Sequence, residues 1–393
     1  MTAATREAPR PKIWNDPFWR GLILQAALTI AVVALVWFAA SNAVENMHKR
    51  GIPTDFSFWN KPASFDINQT LIPYSATSPN SQVFWVGLVN TLLVAGLGIV
   101  FSTFIGFAVG AARLSTNWLV ARLATIYVEG IRNVPLLLQI IFWYNVVLGS
   151  LPNPRNAAPL LDLVFLANRG LFVPAPVFKP GFGAVWIALA VGVAGALAFR
   201  RWAARRQRET GAQAPVGWTM AALVVGPPLL VFFAEGMPLG WDIPKLKGFN
   251  FAGGQRLSPE FVALLLALTL YTAAFIAEIV RSGIRAVNKG QSEAAAALGL
   301  RAGPTRKLVI MPQAMRVIIP PLINQYLNLT KNSTLAVAIG YPDLFNVFAG
   351  TTLNNTGAAV QIIFMTMAFY LAVSLVTSAV MNAYNSRMSL KER

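Results

Sequence analysis

Uncharged apolar runs recur along this chain at lengths set by a bilayer rather than by the core of a soluble domain. They fall at about Gly21 to Val44, Val83 to Gly110, Leu123 to Leu148, Gly181 to Phe199, Val216 to Phe233, Phe261 to Val280, Val317 to Gly340 and Ala358 to Asn382. A helix needs about 20 predominantly apolar residues to cross about 30 Å of hydrocarbon. Lipid offers the backbone no hydrogen-bonding partner, so each run reads as a helix. The pattern predicts an all-α polytopic membrane protein of about eight transmembrane helices. The first run follows a leader carrying Arg6, Arg10, Lys12 and Arg20. Ala39-Ala40-Ser41 imitates a signal-cleavage site, but a cleavable signal has an apolar core of only about 7–15 residues, so this run is expected to remain as a helix. The fourth and fifth runs bracket Arg200, Arg201, Arg205, Arg206 and Arg208 and read either as two spans or as a buried amphipathic hairpin.

The basic residues then orient the chain, because Lys and Arg are retained in excess on the cytoplasmic side. With the N-terminus inside, the inside segments 1–20, 111–122, 200–216, 281–316 and 385–393 hold 21 of the 32 Lys and Arg. The outside loops 41–82, 151–180, 236–257 and 341–357 hold nine, so both termini are expected in the cytoplasm. Composition agrees: 55% of residues are hydrophobic and 12% charged, against roughly 25% charged in a soluble domain. The net charge of +17 does not indicate nucleic acid, because such binders gather their cations on one solvated face. Here the charges sit between apolar runs. With no cysteine and the single His48, the chain has almost no material for disulfides, Cys–His metal sites or histidine-activated nucleophiles.

The most informative polar stretch runs from Glu278 to Pro312. Ser292 to Leu298 favours a short helix, with Ser292 a candidate N-cap and Gly299 placed as the left-handed residue that ends it. Its alanines leave a shallow surface on which another protein's groove can close. Arg301-Ala302-Gly303-Pro304 should then break direction, with Pro312 near the start of the next span. An alanine-rich loop helix lying on the membrane face fits the same residues.

Glu293, Ala294, Ala295, Gly299, Val309, Met311 and Pro312 together resemble the signature cytoplasmic loop of ABC-importer permeases. Val309 and Met311 stand where that family more often has Ile and Leu. Gly290-Gln291-Ser292, Lys331-Asn332-Ser333-Thr334-Leu335, Gly87 to Leu92 and Tyr127 to Gln139 resemble its polar amino-acid (histidine/glutamine-type) branch. The matching regions are roughly 83–150 and 258–390. That branch usually has five spans, and this chain departs from it by an N-terminal helix and about a hundred inserted residues. In that elongation it looks like the general L-amino-acid importers of the Aap/Bzt type. The expected organisation is a cytoplasmic segment 1–20, an extra helix and periplasmic loop 21–82, core 83–150, an insertion 151–257 with a helical hairpin, core 258–385 with coupling loop 281–316, and a tail 386–393.

The resemblance implies a permease that carries amino acids but hydrolyses nothing itself. The chain lacks G-x-x-x-x-G-K-[ST] and so has no phosphate cradle; no cofactor is expected on it, and ATP would be used by a cytoplasmic ATP-binding-cassette ATPase. Ser292, Glu293, Ala294, Ala295, Gly299 and Pro312 would couple the two. A periplasmic amino-acid-binding protein would deliver cargo to the 41–82 and 236–257 loops, and a second permease subunit, a different homologous chain, would complete the pore within the membrane lipid. Ionisable and amide groups inside spans nominate a substrate path. Asn324, Asn328 and Lys331 share one stripe of the seventh span, Glu278 shares a face with Ala274 and Tyr271, and Arg132 should lie above Gln139 on the third. Glu278 and Arg132 could meet the ammonium and carboxylate of a zwitterion. The same residues also fit snorkelling to the interface or gluing helices together. Two rival functions stay open: an ABC permease for another small polar solute such as an opine, and an ion-driven secondary transporter, for which no inverted repeat is evident.

Overall fold

The computed structural model describes residues 17–157, 159–160 and 163–388. Residues 1–16 of the expected N-terminal segment and 389–393 of the expected tail lie outside the described residues. The chain divides into two compact units, one made of residues up to Leu92 together with those from Pro342, the other of Leu93–Tyr341.

The first unit holds helix α1 (Pro17–Lys49), the beginning of α2 (Asn80–Ala112) and, after Pro342, a π-helical turn at Phe345–Thr352. α1 contains an 18-residue window of mean hydropathy 2.4, none of it buried against protein; a helix apolar on every face and uncovered by its own chain suits lipid. The loop after α1 is tied down by side-chain amides. Gln361 Nε2 donates to Pro53 O (2.9 Å) and Asp55 O (3.1 Å), and Asn90 Nδ2 donates to Gln69 O and Pro342 O (2.9 Å each). Phe58, Val83, Leu344 and Phe348 form the core beneath it. Gly87 is required there, because a Cβ would come within 2.7 Å of Leu344 Cα.

The second unit continues through α2 and holds α3 (Trp118–Arg132), α4 (Leu136–Ile141), α5 (Phe182–Thr210), α6 (Val216–Ala234), α7 (Pro259–Arg285), α8 (Lys289–Ala297), α9 (Ala302–Pro304) and α10 (Met311–Asn332). The first unit is completed by α11 (Leu353–Thr356) and α12 (Ala359–Met388). α7 is the hub of the second unit: more than half of its apolar window is buried. Gly106 and Gly110 of α2 let the two backbones approach, since a Cβ would lie 2.5 Å from Ile276 Cγ2 at the first and 2.8 Å from Ala277 O at the second. This small-residue spacing is the one membrane helices use to pack closely.

Among the described residues six helices are long and apolar enough to span, or seven with the bent pair α3–α4, against the eight runs read from sequence. Two differences have local causes. The run Leu123 to Leu148 is not one straight helix: it bends by 103° between α3 and α4. Pro135 lacks an N–H and drives the preceding residue out of the helical region. Gln139 Nε2 then caps the break, donating to Ile131 O and Val134 O at 2.9 Å each. Arg132 and Gln139 therefore do not superimpose on one helix face as expected. The run Val317 to Gly340 is α-helical only to Asn332, then tightens into a 3-10 turn, Ser333–Ile339, closed by Gly340 at φ +74°. Pro320 and Pro321 lie within α10, and Arg316, Asn324, Asn328 and Lys331 dilute its apolarity.

The insertion contains the expected helical hairpin, α5 and α6, and also strands the hydrophobic pattern did not announce. β1 (Pro159–Leu160), β2 (Val164–Ala167), β3 (Gly170–Val173) and β4 (Ala175–Phe178) precede the hairpin, while β5 (Leu239–Asp242), β6 (Lys245–Lys247), β7 (Asn250–Ala252) and β8 (Gln255–Leu257) follow it. The sheets order as β1-β2-β3-β8, β4-β5 and β6-β7, all antiparallel. Pairing Phe178 with Leu239 brings the two ends of the hairpin together.

Candidate functional site

The polar loop after α7 folds into α8, whose start differs from the sequence expectation. Asn288, not Ser292, is the N-cap: its Oδ1 accepts from Gly290 N at 2.8 Å. Ser292 lies one turn inside, with Oγ donating back to Lys289 O (2.7 Å). Both residue types cap well, and Asn288 wins because its extended backbone (φ −58°, ψ 134°) immediately precedes the first helical residue.

The far end closes as expected. Gly299 sits at φ +75°, Gly299 N donates to Ala296 O (2.9 Å) and Leu300 N donates to Ala295 O (3.0 Å). These two bonds are the double closure of a Schellman cap, which satisfies carbonyls that the helix end would otherwise orphan. The change of direction falls at Leu300–Arg301, where Arg301 is extended at ψ 159°. Ala302 already begins a helix, so Gly303 and Pro304 do not break the chain as expected; proline is tolerated in a first turn because no N–H is needed there. A π-helical turn, Thr305–Ile310, leads into α10 with Pro312 at its start. The widened turn accommodates the hydrogen bond that Pro312 cannot donate.

Of the α8 residues only Ala295 is buried, while Ser292, Glu293 and Ala294 are exposed. Gln313 Nε2 donates to Gln291 Oε1 at 3.0 Å, linking α8 to the first turn of α10. A short capped helix is thus held at both ends with its Glu293 face exposed among the described residues.

A second constellation surrounds Glu278 on α7. Its carboxylate accepts from Arg113, just past α2, and from Arg281 one turn along α7, with Arg132 of α3 at 3.9 Å. The Arg132 guanidinium also lies 5.0 Å from the Phe275 ring centroid. The sequence set Glu278 and Arg132 to meet opposite ends of a zwitterion, not each other. The spacing to Arg281 was available as an i,i+3 signal, whereas Arg113 is brought in from 165 positions away. The carboxylate is thus already engaged by two guanidiniums with a third nearby, and an ammonium of a zwitterion would have to compete with them for it.

Tyr271, one face up from Glu278, is partly buried with its ring 4.9 Å from that of Phe275. Gln139 is buried and spent on the α3–α4 break. Asn324, Asn328 and Lys331 share an exposed stripe of α10, while Ala314, Ile318, Leu322 and Leu329 form its buried side. Among the described residues no group of three or more His, Cys, Asp or Glu is placed to hold a metal ion.

Residues 214–390 match the family described as binding-protein-dependent transport system inner membrane component. The chain is 50% identical to YhdX of Escherichia coli strain K12, named as an amino-acid ABC transporter permease protein, over 96% of each chain. It is 48% identical to the general L-amino acid transport system permease protein AapQ of Rhizobium johnstonii, covering 96% of this chain and 94% of that one. The glutamate/glutamine/aspartate/asparagine transport system permease protein BztB of Rhodobacter capsulatus is 42% identical over 96% of each. A match this long takes in α1 and the insertion as well as the core, and the chain belongs to the family of binding-protein-dependent inner-membrane components, the permease subunits of ABC transporters.

Proposed function

We propose that this chain translocates L-amino acids of a broad range across the bacterial inner membrane, driven by a separate ATP-binding-cassette ATPase that docks on α8. The observation that carries the reading is α8 itself, a helix capped at both ends and anchored through Gln291 and Gln313, whose Ser292, Glu293 and Ala294 are exposed among the described residues. ATPase closure would displace α8, and the rigid continuation through Gly299, α9, the π turn and Pro312 would pass the displacement to α10, a coupling through a two-state element. ATP stays with the partner, since the chain has no phosphate-binding loop.

In this account the Asn324–Asn328–Lys331 stripe lines the path, completed by a second, homologous permease chain, because it is polar and left open by α10's own packing. Arg132 offers the substrate carboxylate a cation near Tyr271, and Glu278 acts as the anchor for Arg113, Arg132 and Arg281. An ion-driven carrier would need a carboxylate free to exchange a cation; Glu278 is already ion-paired with Arg113 and Arg281. A periplasmic amino-acid-binding protein delivers cargo to the 41–82 and 236–257 loops, and both termini are cytoplasmic. The test is ATP hydrolysis by the complex in proteoliposomes: binding protein loaded with an L-amino acid should stimulate it. Stimulation by an opine or another polar solute, with several amino acids inert, would refute the cargo.

A further inference from the structure

A cavity of about 560 Å³ opens behind α8, between the end of α7, α8 itself and the 302–310 segment. Three cationic side chains from three different elements line it: Arg285 from the last turn of α7, Lys289 from the first turn of α8 and Arg306 from the π turn. No acidic residue is among its lining. None of the three makes an ion pair among the described residues, where every bridge involves Glu45 or Glu278. Three like charges converging on one space repel one another unless an anion sits among them. Apart from Ser292 and Thr305 the rest of the lining is aliphatic, including Ile284, Leu300 and Ile310, surface that a small hydrated anion would leave uncovered.

We infer that this cavity binds a phosphate-bearing amphiphile, an anionic phospholipid of the cytoplasmic leaflet, with the phosphate among Arg285, Lys289 and Arg306 and the first acyl carbons against Ile284, Leu300 and Ile310. This rests on the cytoplasmic placement of the loop proposed above. The negative charge of that leaflet draws juxtamembrane cations to it, and the aliphatic lining distinguishes a lipid from free phosphate. Lipid bound here would brace α8 beside Ser292, which also lines the cavity, without touching Glu293.

The test uses the full-length chain, purified in neutral detergent, and counts lipids retained by native mass spectrometry after supply of phosphatidylglycerol, phosphatidylcholine or inorganic phosphate. It needs no ATPase, so its outcome is separate from that of the coupling reading. Phosphatidylglycerol should be held in preference to phosphatidylcholine. Each removed charge should weaken retention about fivefold, so the triple change Arg285→Gln, Lys289→Gln, Arg306→Gln should weaken it on the order of 100-fold. Lys289→Gln alone, at an exposed first-turn position, guards against misfolding of the triple variant. A control triple on α5, Arg200→Gln, Arg201→Gln, Arg205→Gln, should leave retention unchanged. Equal loss in the control, or equal retention of phosphatidylcholine, would overturn the site. Inorganic phosphate displacing phosphatidylglycerol at matched concentration would overturn the lipid as its occupant.

Discussion

Replacing Gly299 probes whether the shape of the α8 cap, and not merely its chemistry, transmits motion. Gly299 holds φ +75°, and a Cβ there would meet no atom within 4 Å, so substitution costs conformational strain with no clash. An L-residue in the left-handed region costs roughly 1–2 kcal/mol, asparagine less because it tolerates that region, and a β-branched residue lies toward the top of a roughly 1–3 kcal/mol range. If strain opens the cap, the Gly299–Ala296 and Leu300–Ala295 bonds go with it, each worth about 1 kcal/mol. Gly299→Val should therefore shift the cap by about 3 kcal/mol, roughly two orders of magnitude in population, Gly299→Ala by less and Gly299→Asn least. The assay is amino acid taken up per ATP hydrolysed in proteoliposomes containing the assembled transporter. The ratio should fall in the order Gly, Asn, Ala, Val while the ATPase stays bound. A valine variant with the wild-type ratio, or an asparagine variant as impaired as valine, would refute the reasoning.

Other consequences follow from the ion cluster, the outer loop and the topology. Glu278→Gln leaves three guanidiniums facing one another in a partly buried site and should lower the unfolding midpoint by the equivalent of about 2 kcal/mol or more; Arg281→Gln should cost less, because Arg113 and Arg132 still hold the carboxylate, and equal effects would count against the anchoring role. Asp343, buried just before the π-helical turn Phe345–Thr352 and outside the spans, is pushed up to about 7 by desolvation. Its folded pKa lies above the unfolded one, so the stability it contributes is full near pH 4 and is lost as pH rises to about 7. Asp343→Asn should flatten that decline in thermal unfolding, and an unchanged profile would contradict it. A reporter fused after Arg208 should be cytoplasmic and one near Lys61 exported; a cytoplasmic signal at Lys61 would invert the orientation.

The helices were legible wherever an apolar run was unbroken, as in α1, α2, α7 and α12, because hydropathy alone decides what lipid accepts. The α3–α4 bend was written in Pro135 but masked by the apolar residues on both sides of it. The insertion's strands, such as β6 with three residues, are too short for any period to register. At the candidate site, Gly299 was readable because only one backbone conformation explains a glycine in that place. Asn288 was not, since Asn288 and Ser292 are equally good caps and the choice rests on where the chain leaves α7. The Asn324–Asn328–Lys331 stripe followed from helical spacing. The Glu278 cluster did not, because Arg113 meets it only after Gly106 and Gly110 have seated α2 on α7.

The docking of an ATPase on α8 is tested most directly by co-purification with this chain before and after charge reversal at Glu293. The wild-type chain should bring down the ATP-binding-cassette ATPase. Glu293→Arg, inserted in the membrane at normal level, should lose it, since a charged contact that leaves its partner unpaired at an interface costs roughly 2–5 kcal/mol. An ATPase retained by Glu293→Arg in the wild-type ratio, with uptake intact, would contradict the account.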